Sequence, residues 1–217
     1  MSTAETKLTA ADLSALMCAR ICHDLVSPIG ALATAIEVLD DENNVDMHDD
    51  AMSLVKLSAK QASAKLQFLR LAFGAGSSAP GVIGVRELIR LIDGIYGDGK
   101  ANIVWDAQLS ELDKSVARIA LNMTMLAVQA VPRGGEVKIQ TTETASEVQI
   151  RMDATGPKAR LNEAVPRTLS GKAPEDGFDG RTIQPFYTGM MVRELSANIQ
   201  TSIEGECVTF LLTAPKA

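Results

Sequence analysis

Residues 22 to 30 read CHDLVSPIG, an ionisable His-Asp pair followed closely by a proline. An imidazole titrates at about pH 6.5, so an exposed His23 is largely neutral at cellular pH and one ring nitrogen is available as a nucleophile. Asp24 beside it can accept the other ring N–H, which fixes the tautomer and makes the free nitrogen more basic. That pairing suits acceptance of a phosphoryl group, a reaction that needs positioning and charge stabilisation more than covalent chemistry from the protein. Pro28 has no N–H, so the carbonyl of Asp24 loses its intrahelical partner and a kink is expected just after His23. Cys18, Cys22 and His23 form an incomplete zinc set without a convincing fourth ligand. With Cys207 the cysteines number three, without disulfide-framework spacing, which suits buried thiols in a reducing compartment.

These residues need a helix to hold them. From Thr9, with Asp12 three places on as an N-cap arrangement, the pattern runs helical to about Asp40. On a helical wheel Cys18, Ile21, Leu25, Ile29, Leu32, Ile36 and Leu39 lie opposite His23, while Ala19, Arg20, Ser27 and Gly30 share its side. His23 is therefore expected to point away from the bundle core, on a surface free of bulk. The acidic, Asn-rich stretch at 40–50, DDENNVDMHDD, reads as a turn. A second helix follows, whose seam is Met52, Val55, Ala59, Ala62, Leu66, Leu69 and Phe73, with Lys60 on the polar stripe opposite. A lone hairpin leaves such seams uncovered, and two copies close them into a four-helix bundle, so a homodimer is expected.

The stretch GAGSSAPGVIG at 74–84 has linker composition. The chain is accordingly divided into a helical hairpin at 1–76, a linker at 77–84 and a second domain at 85–217. In the second domain helices are expected at 85–97, 113–131, 157–164 and 186–198, and strands at 101–106, 135–142, 146–153, 199–204 and 207–213, with a Pro- and Gly-rich loop at 165–184. The fold class is α+β, with helices on one face of a mixed sheet. The chain has 217 residues, 46% hydrophobic and 22% charged, and a net charge of −6, which argues against nucleic acid as a direct partner. No stretch approaches about 18 consecutive apolar residues and no basic leader opens the chain, so neither a membrane partner nor export is expected, and the location is read as cytoplasmic.

Several segments together carry a resemblance. His23-Asp24-Leu25 followed by Ser27-Pro28-Ile29 resembles the phosphoacceptor box of dimerising histidine-kinase helices, with Val26 where a basic residue is usual. CHDLVSPIGA, DMHDDAMSLVKLSA at 46–59, LQFLRLAFGA at 66–75 and TGPKARL at 155–161 resemble the ChpT-type histidine phosphotransferases of alphaproteobacterial cell-cycle phosphorelays, over nearly the whole chain. The second domain looks like a kinase ATPase domain stripped of its chemistry. NMTMLAVQAVPRGG at 122–135 resembles the kinase Asn box, with Leu126 in place of the second Asn that helps hold Mg²⁺ and Gln129 in place of a Lys. Thr155 and Pro157 replace both glycines of the next box, Asp-x-Gly-x-Gly, and only Gly189 is left of a glycine-rich lid before the last helix.

The resemblance implies a protein-histidine phosphotransferase that neither binds ATP nor phosphorylates itself. His23 would take a phosphoryl group from the receiver-domain aspartate of a hybrid histidine kinase and pass it to response regulators that control the cell cycle. There would be no intrinsic cofactor, and Mg²⁺ would be held by the receiver. Asp24 would orient the imidazole, Arg20, Ser27 and Lys60 would contact the phosphoryl group or the receiver, and the degenerate domain would serve as a second docking surface. Two alternatives stand beside this one: a pseudo-kinase scaffold that binds receivers without carrying phosphate, and a divergent ATP-dependent histidine kinase.

Overall fold

A computed structural model of the chain describes residues 8–74 and 79–216. Helix α1 spans Ala10–Asp40, opened by a capping box in which Thr9 and Asp12 each satisfy the other's backbone N–H. A short 3-10 segment, Glu42–Met47, makes the expected turn, and α2 follows at His48–Ala72. The hairpin closes on small residues: Pro28 and Ala35 of α1 and Ala51 and Ser58 of α2 are buried. The bulky seams stay at the surface of the single chain, Ile29 being 51% and Leu66 54% exposed. Two helices can cover only one side of each other, which is why the larger apolar stripe remains outside.

Of the expected linker at 77–84, residues 77 and 78 lie outside the described residues, and Val82–Gly84 instead form a strand, β1. Then come α3 (Val85–Tyr96), β2 (Ala101–Ala107) and β3 (Glu111–Asp113), which pairs antiparallel with β1. The remaining elements are α4 (Lys114–Ala130), β4 (Gly135–Glu143), β5 (Glu147–Thr155), α5 (Ala164–Leu169), α6 (Ile183–Glu194), β6 (Asn198–Glu204) and β7 (Cys207–Pro215). The main sheet has the order β2-β4-β5-β7-β6, parallel only between β2 and β4. Val148, Ile150, Met152 and Ala154 of β5 alternate with more exposed neighbours, as do Val208, Phe210, Leu212 and Ala214 of β7. One sheet face is thus packed under the helices and the other is open, as an α+β fold requires.

Helix α4 is the centre of the molecule. Its residues from Val116 to Ala127 are buried almost without interruption, because the sheet lies on one side and α2 and α6 on others. The expected helices at 157–164 and 186–198 are displaced to α5 and α6, each of which begins earlier or later than its composition indicates. The expectation that no segment suits a membrane span is also corrected: by length and composition α1 is long and apolar enough to cross one. A count of consecutive apolar residues misses it because Arg20, His23 and Asp24 break the run while its mean hydropathy stays high.

The hairpin is fastened to the second domain through the end of α2. The last carbonyls of a helix have no partner within it. Here Asn122 Nδ2 donates to the Ala72 carbonyl at 2.8 Å, and the Tyr187 hydroxyl donates to the Phe73 carbonyl at 3.1 Å. Gln184 Nε2 reaches Asn122 Oδ1 at 3.1 Å, and Arg118 Nη2 reaches Tyr187 at 2.6 Å, so α2, α4 and α6 share one largely buried polar network. Gly74 turns the chain away at φ +75°, a left-handed conformation suited to glycine after a helix.

Candidate functional site

Midway along α1 the side chain of His23 is 72% exposed, and its Nδ1 lies 3.3 Å from Asp24 Oδ1. Among the described residues Nε2 has no hydrogen-bond partner, so it is the nitrogen open to attack. Asp24 is held in turn: its Oδ2 accepts from Arg20 Nε at 3.0 Å, one helical turn back. Arg20 is only 8% exposed, and its Nη1 donates to the Gly180 carbonyl at 3.2 Å. A relay of contacts therefore runs from the loop before α6 through Arg20 and Asp24 to the imidazole. A carboxylate placed in this way holds the proton on Nδ1 and compensates positive charge that builds on the ring.

Pro28 is buried, and the helix runs through it without interruption from Ala10 to Asp40. The carbonyl of Asp24, deprived of its N–H, is met from the second helix by Lys65 Nζ at 3.0 Å. This answers the accounting that proline imposes: a freed, partly buried acceptor needs another donor. Lys65 is not among the residues that the sequence singles out, yet a signal for it exists. A hairpin turning at Asn44–Val45 sets Asp24 and Lys65 at equal distances from the turn, whereas Lys60 falls opposite Ile29. The expected phosphoryl contacts divide accordingly: Ser27 and Lys60 are exposed without side-chain hydrogen bonds among the described residues, and Arg20 is committed to Asp24 and Gly180.

His23 and Arg20 form one edge of a cleft of about 460 Å³ between α1 and the second domain. Its other walls include Leu126 and Gln129 of α4, Arg160 and Leu161 of the loop between β5 and α5, and Arg181 ahead of α6. Arg160 and Arg181 are further site residues to which the sequence does not point. The turn carrying Arg181 is rigidly built, because Asp179 Oδ1 accepts from the Arg181 and Thr182 N–H groups at 3.0 and 2.7 Å and from the Thr182 hydroxyl. The Thr182 hydroxyl holds the Asp179 carboxyl below its usual range; partial burial opposes this, and the Thr182 and Arg181 N–H groups add to it.

The nucleotide boxes that the sequence resembles have taken up other work. Asn122 is fully buried in the network at the end of α2, and Leu126 gives the cleft an apolar wall with no oxygen for a hard cation. Asp153 accepts from Arg151 Nε at 2.7 Å and from the Thr209 hydroxyl at 2.6 Å. Burial pushes its carboxyl up, and those two hydrogen bonds outweigh that, leaving it below the ordinary range. Gly189 lies inside α6, where a Cβ would collide with the Leu169 carbonyl, so it serves helix packing in place of a phosphate loop.

The family model described as the histidine phosphotransferase C-terminal domain matches residues 85–207. The protein phosphotransferase ChpT of Brucella abortus (strain 2308) is 34% identical over 203 residues, covering 94% of this chain and 96% of that one. A solved structure of a bacterial phosphotransferase superposes with a TM-score of 0.84 at 32% identity, over 96% of this chain and 98% of the other. The resemblance read from the boxes around His23 and Asn122 thus extends over both the sequence and the three-dimensional fold, and the chain belongs to the ChpT-type histidine phosphotransferases.

Proposed function

We propose that the protein is a phosphoryl carrier of a multistep phosphorelay, with His23 as the phosphoacceptor. The observation that carries this reading is an exposed imidazole whose Nδ1 faces a fixed carboxylate and whose Nε2 is free. The lone pair of Nε2 attacks the phosphorus of an aspartyl phosphate in a receiver domain. An N–P bond forms, the P–O bond to the aspartate breaks, and the carboxylate leaves with its electron pair. The proton on Nδ1 stays in place against Asp24, which balances the charge of the phosphorylated ring. The reverse step returns the group to the aspartate of a response regulator. Mg²⁺ is supplied by the receiver, whose acidic pocket is the natural home of a hard cation.

The working unit is a homodimer with an N-terminal phosphoacceptor domain at 1–76 and a receiver-docking domain at 85–217. The exposed Ile29, Ile36, Met52 and Leu66 support this, since they lie on the faces the hairpin leaves uncovered. Control of the cell cycle by the downstream regulators completes the proposal. The test is transfer from a radiolabelled phospho-receiver to the protein and to its His23→Ala variant. Acid-labile, base-stable label on the first and none on the second is expected. A variant that labels as well as the parent, or a parent that takes no label from several receivers, would sink the carrier reading and leave a scaffold.

A further inference from the structure

The cleft beside His23 has an unusual charge balance. The chain has 27 acidic and 21 basic residues, yet no carboxylate lines this cleft, while Arg20, Arg160 and Arg181 all do. Arg20 is spent on Asp24 and Gly180. The guanidinium groups of Arg160 and Arg181 make no hydrogen bond or ion pair among the described residues, although both are pinned at the backbone. The Arg160 N–H donates to the carbonyl of Ala130, the last residue of α4, at 2.9 Å, and the Arg181 N–H donates to Asp179 at 3.0 Å. Two uncommitted, exposed cations beside an apolar wall formed by Leu126 and Phe210 constitute a candidate anion site.

We infer that Arg160 and Arg181 bind the phosphoryl group carried on His23, supplying positive charge to it from the second domain. This deepens the carrier reading and rests on it. The planar guanidinium fork suits phosphoryl oxygens, and two such groups neutralise the charge that the transfer leaves on the histidine side. The other charged groups nearby are accounted for: Asp24 is held by Arg20, Lys65 is turned to the Asp24 carbonyl, and Asp179 is folded into its own turn. Glu163 lies along the neighbouring cavity with Glu175 and Asp176 and does not line this one. The second domain therefore takes part in the chemistry as well as in docking.

The test uses phosphoramidate as donor, which removes the receiver and its contacts from the experiment. His23 gains the phosphoryl group as the donor's P–N bond breaks and ammonia leaves with its protons. The full-length protein is compared with Arg181→Gln, Arg160→Gln, the double variant, the charge-keeping Arg181→Lys, and Arg86→Ala on α3 as a control for loss of any surface cation. The readout is the phosphorus resonance of phosphohistidine, followed against pH as Nδ1 of the phosphorylated ring takes up its proton. Cations beside the phosphoryl group oppose that proton, so the midpoint should rise by about half a unit or more in the double variant. It should rise less in each single variant and stay near the parent value in Arg181→Lys and Arg86→Ala. Midpoints that do not move in the double variant overturn the inference while the labelled parent leaves the carrier reading intact. A parent that takes no label at His23 overturns both.

Discussion

At the scale of single residues, Asp24 is asked to do two things. It orients His23 and it neutralises Arg20, which is nearly buried. Asp24→Asn should slow phosphoryl acceptance on the order of a hundredfold, since a neutral amide neither fixes the ring proton nor compensates the charged ring. The same change should lower stability by about 1–3 kcal/mol, because a buried guanidinium loses its charged acceptor. Single-turnover transfer and chemical denaturation measure the two effects separately; a stability loss without a rate loss would reduce Asp24 to a structural residue. The His-Asp pair is legible in the sequence because it is local. Arg160 and Arg181 are not, since twenty residues and a helix separate them along the chain and only the fold brings them to one cleft.

At the scale of elements, Pro28 and Lys65 form a coupled pair across the hairpin. Lys65→Met should cost about 1–2 kcal/mol by leaving the Asp24 carbonyl without a donor. In a Pro28→Ala background, where the helix supplies the missing N–H, that cost should largely vanish. A double-mutant cycle by thermal or denaturant unfolding tests this, and additive effects would contradict it. The exposed seams give a second expectation: Ile29→Asp combined with Leu66→Asp should split the proposed homodimer into monomers in light scattering, because charge buried in an apolar interface is strongly unfavourable. The hairpin is readable from its spacing, as are α4 and the long strands. The ends of α5 and α6 are not, because Pro166 and Pro185 look like helix breakers, whereas each sits in the first turn of its helix, where a missing N–H costs nothing. Strands β1 and β3 have three residues apiece, too short for an alternation to register.

At the scale of the whole molecule, the polar network of Asn122, Gln184, Arg118 and Tyr187 makes one body of the hairpin and the sheet domain. The intact protein should therefore unfold in one calorimetric transition. Asn122→Leu, which strands the Ala72 carbonyl in the interior, should cost about 1–3 kcal/mol and separate the melting of the two parts. An unchanged single transition would show that apolar contacts alone couple them. This network also bears on descent. In the kinase box that it resembles, Asn122 would stand in a nucleotide site; here its amide is locked between three helices. To match the boxes it resembles, the chain would have to release Asn122, carry an asparagine at 126, and carry glycines at 155 and 157. Of these positions Asn122 and Leu126 lie in the interior, whereas Thr155 and Pro157 are exposed. The position that the resemblance would set beside a nucleotide here serves as a keystone between the hairpin and the sheet domain.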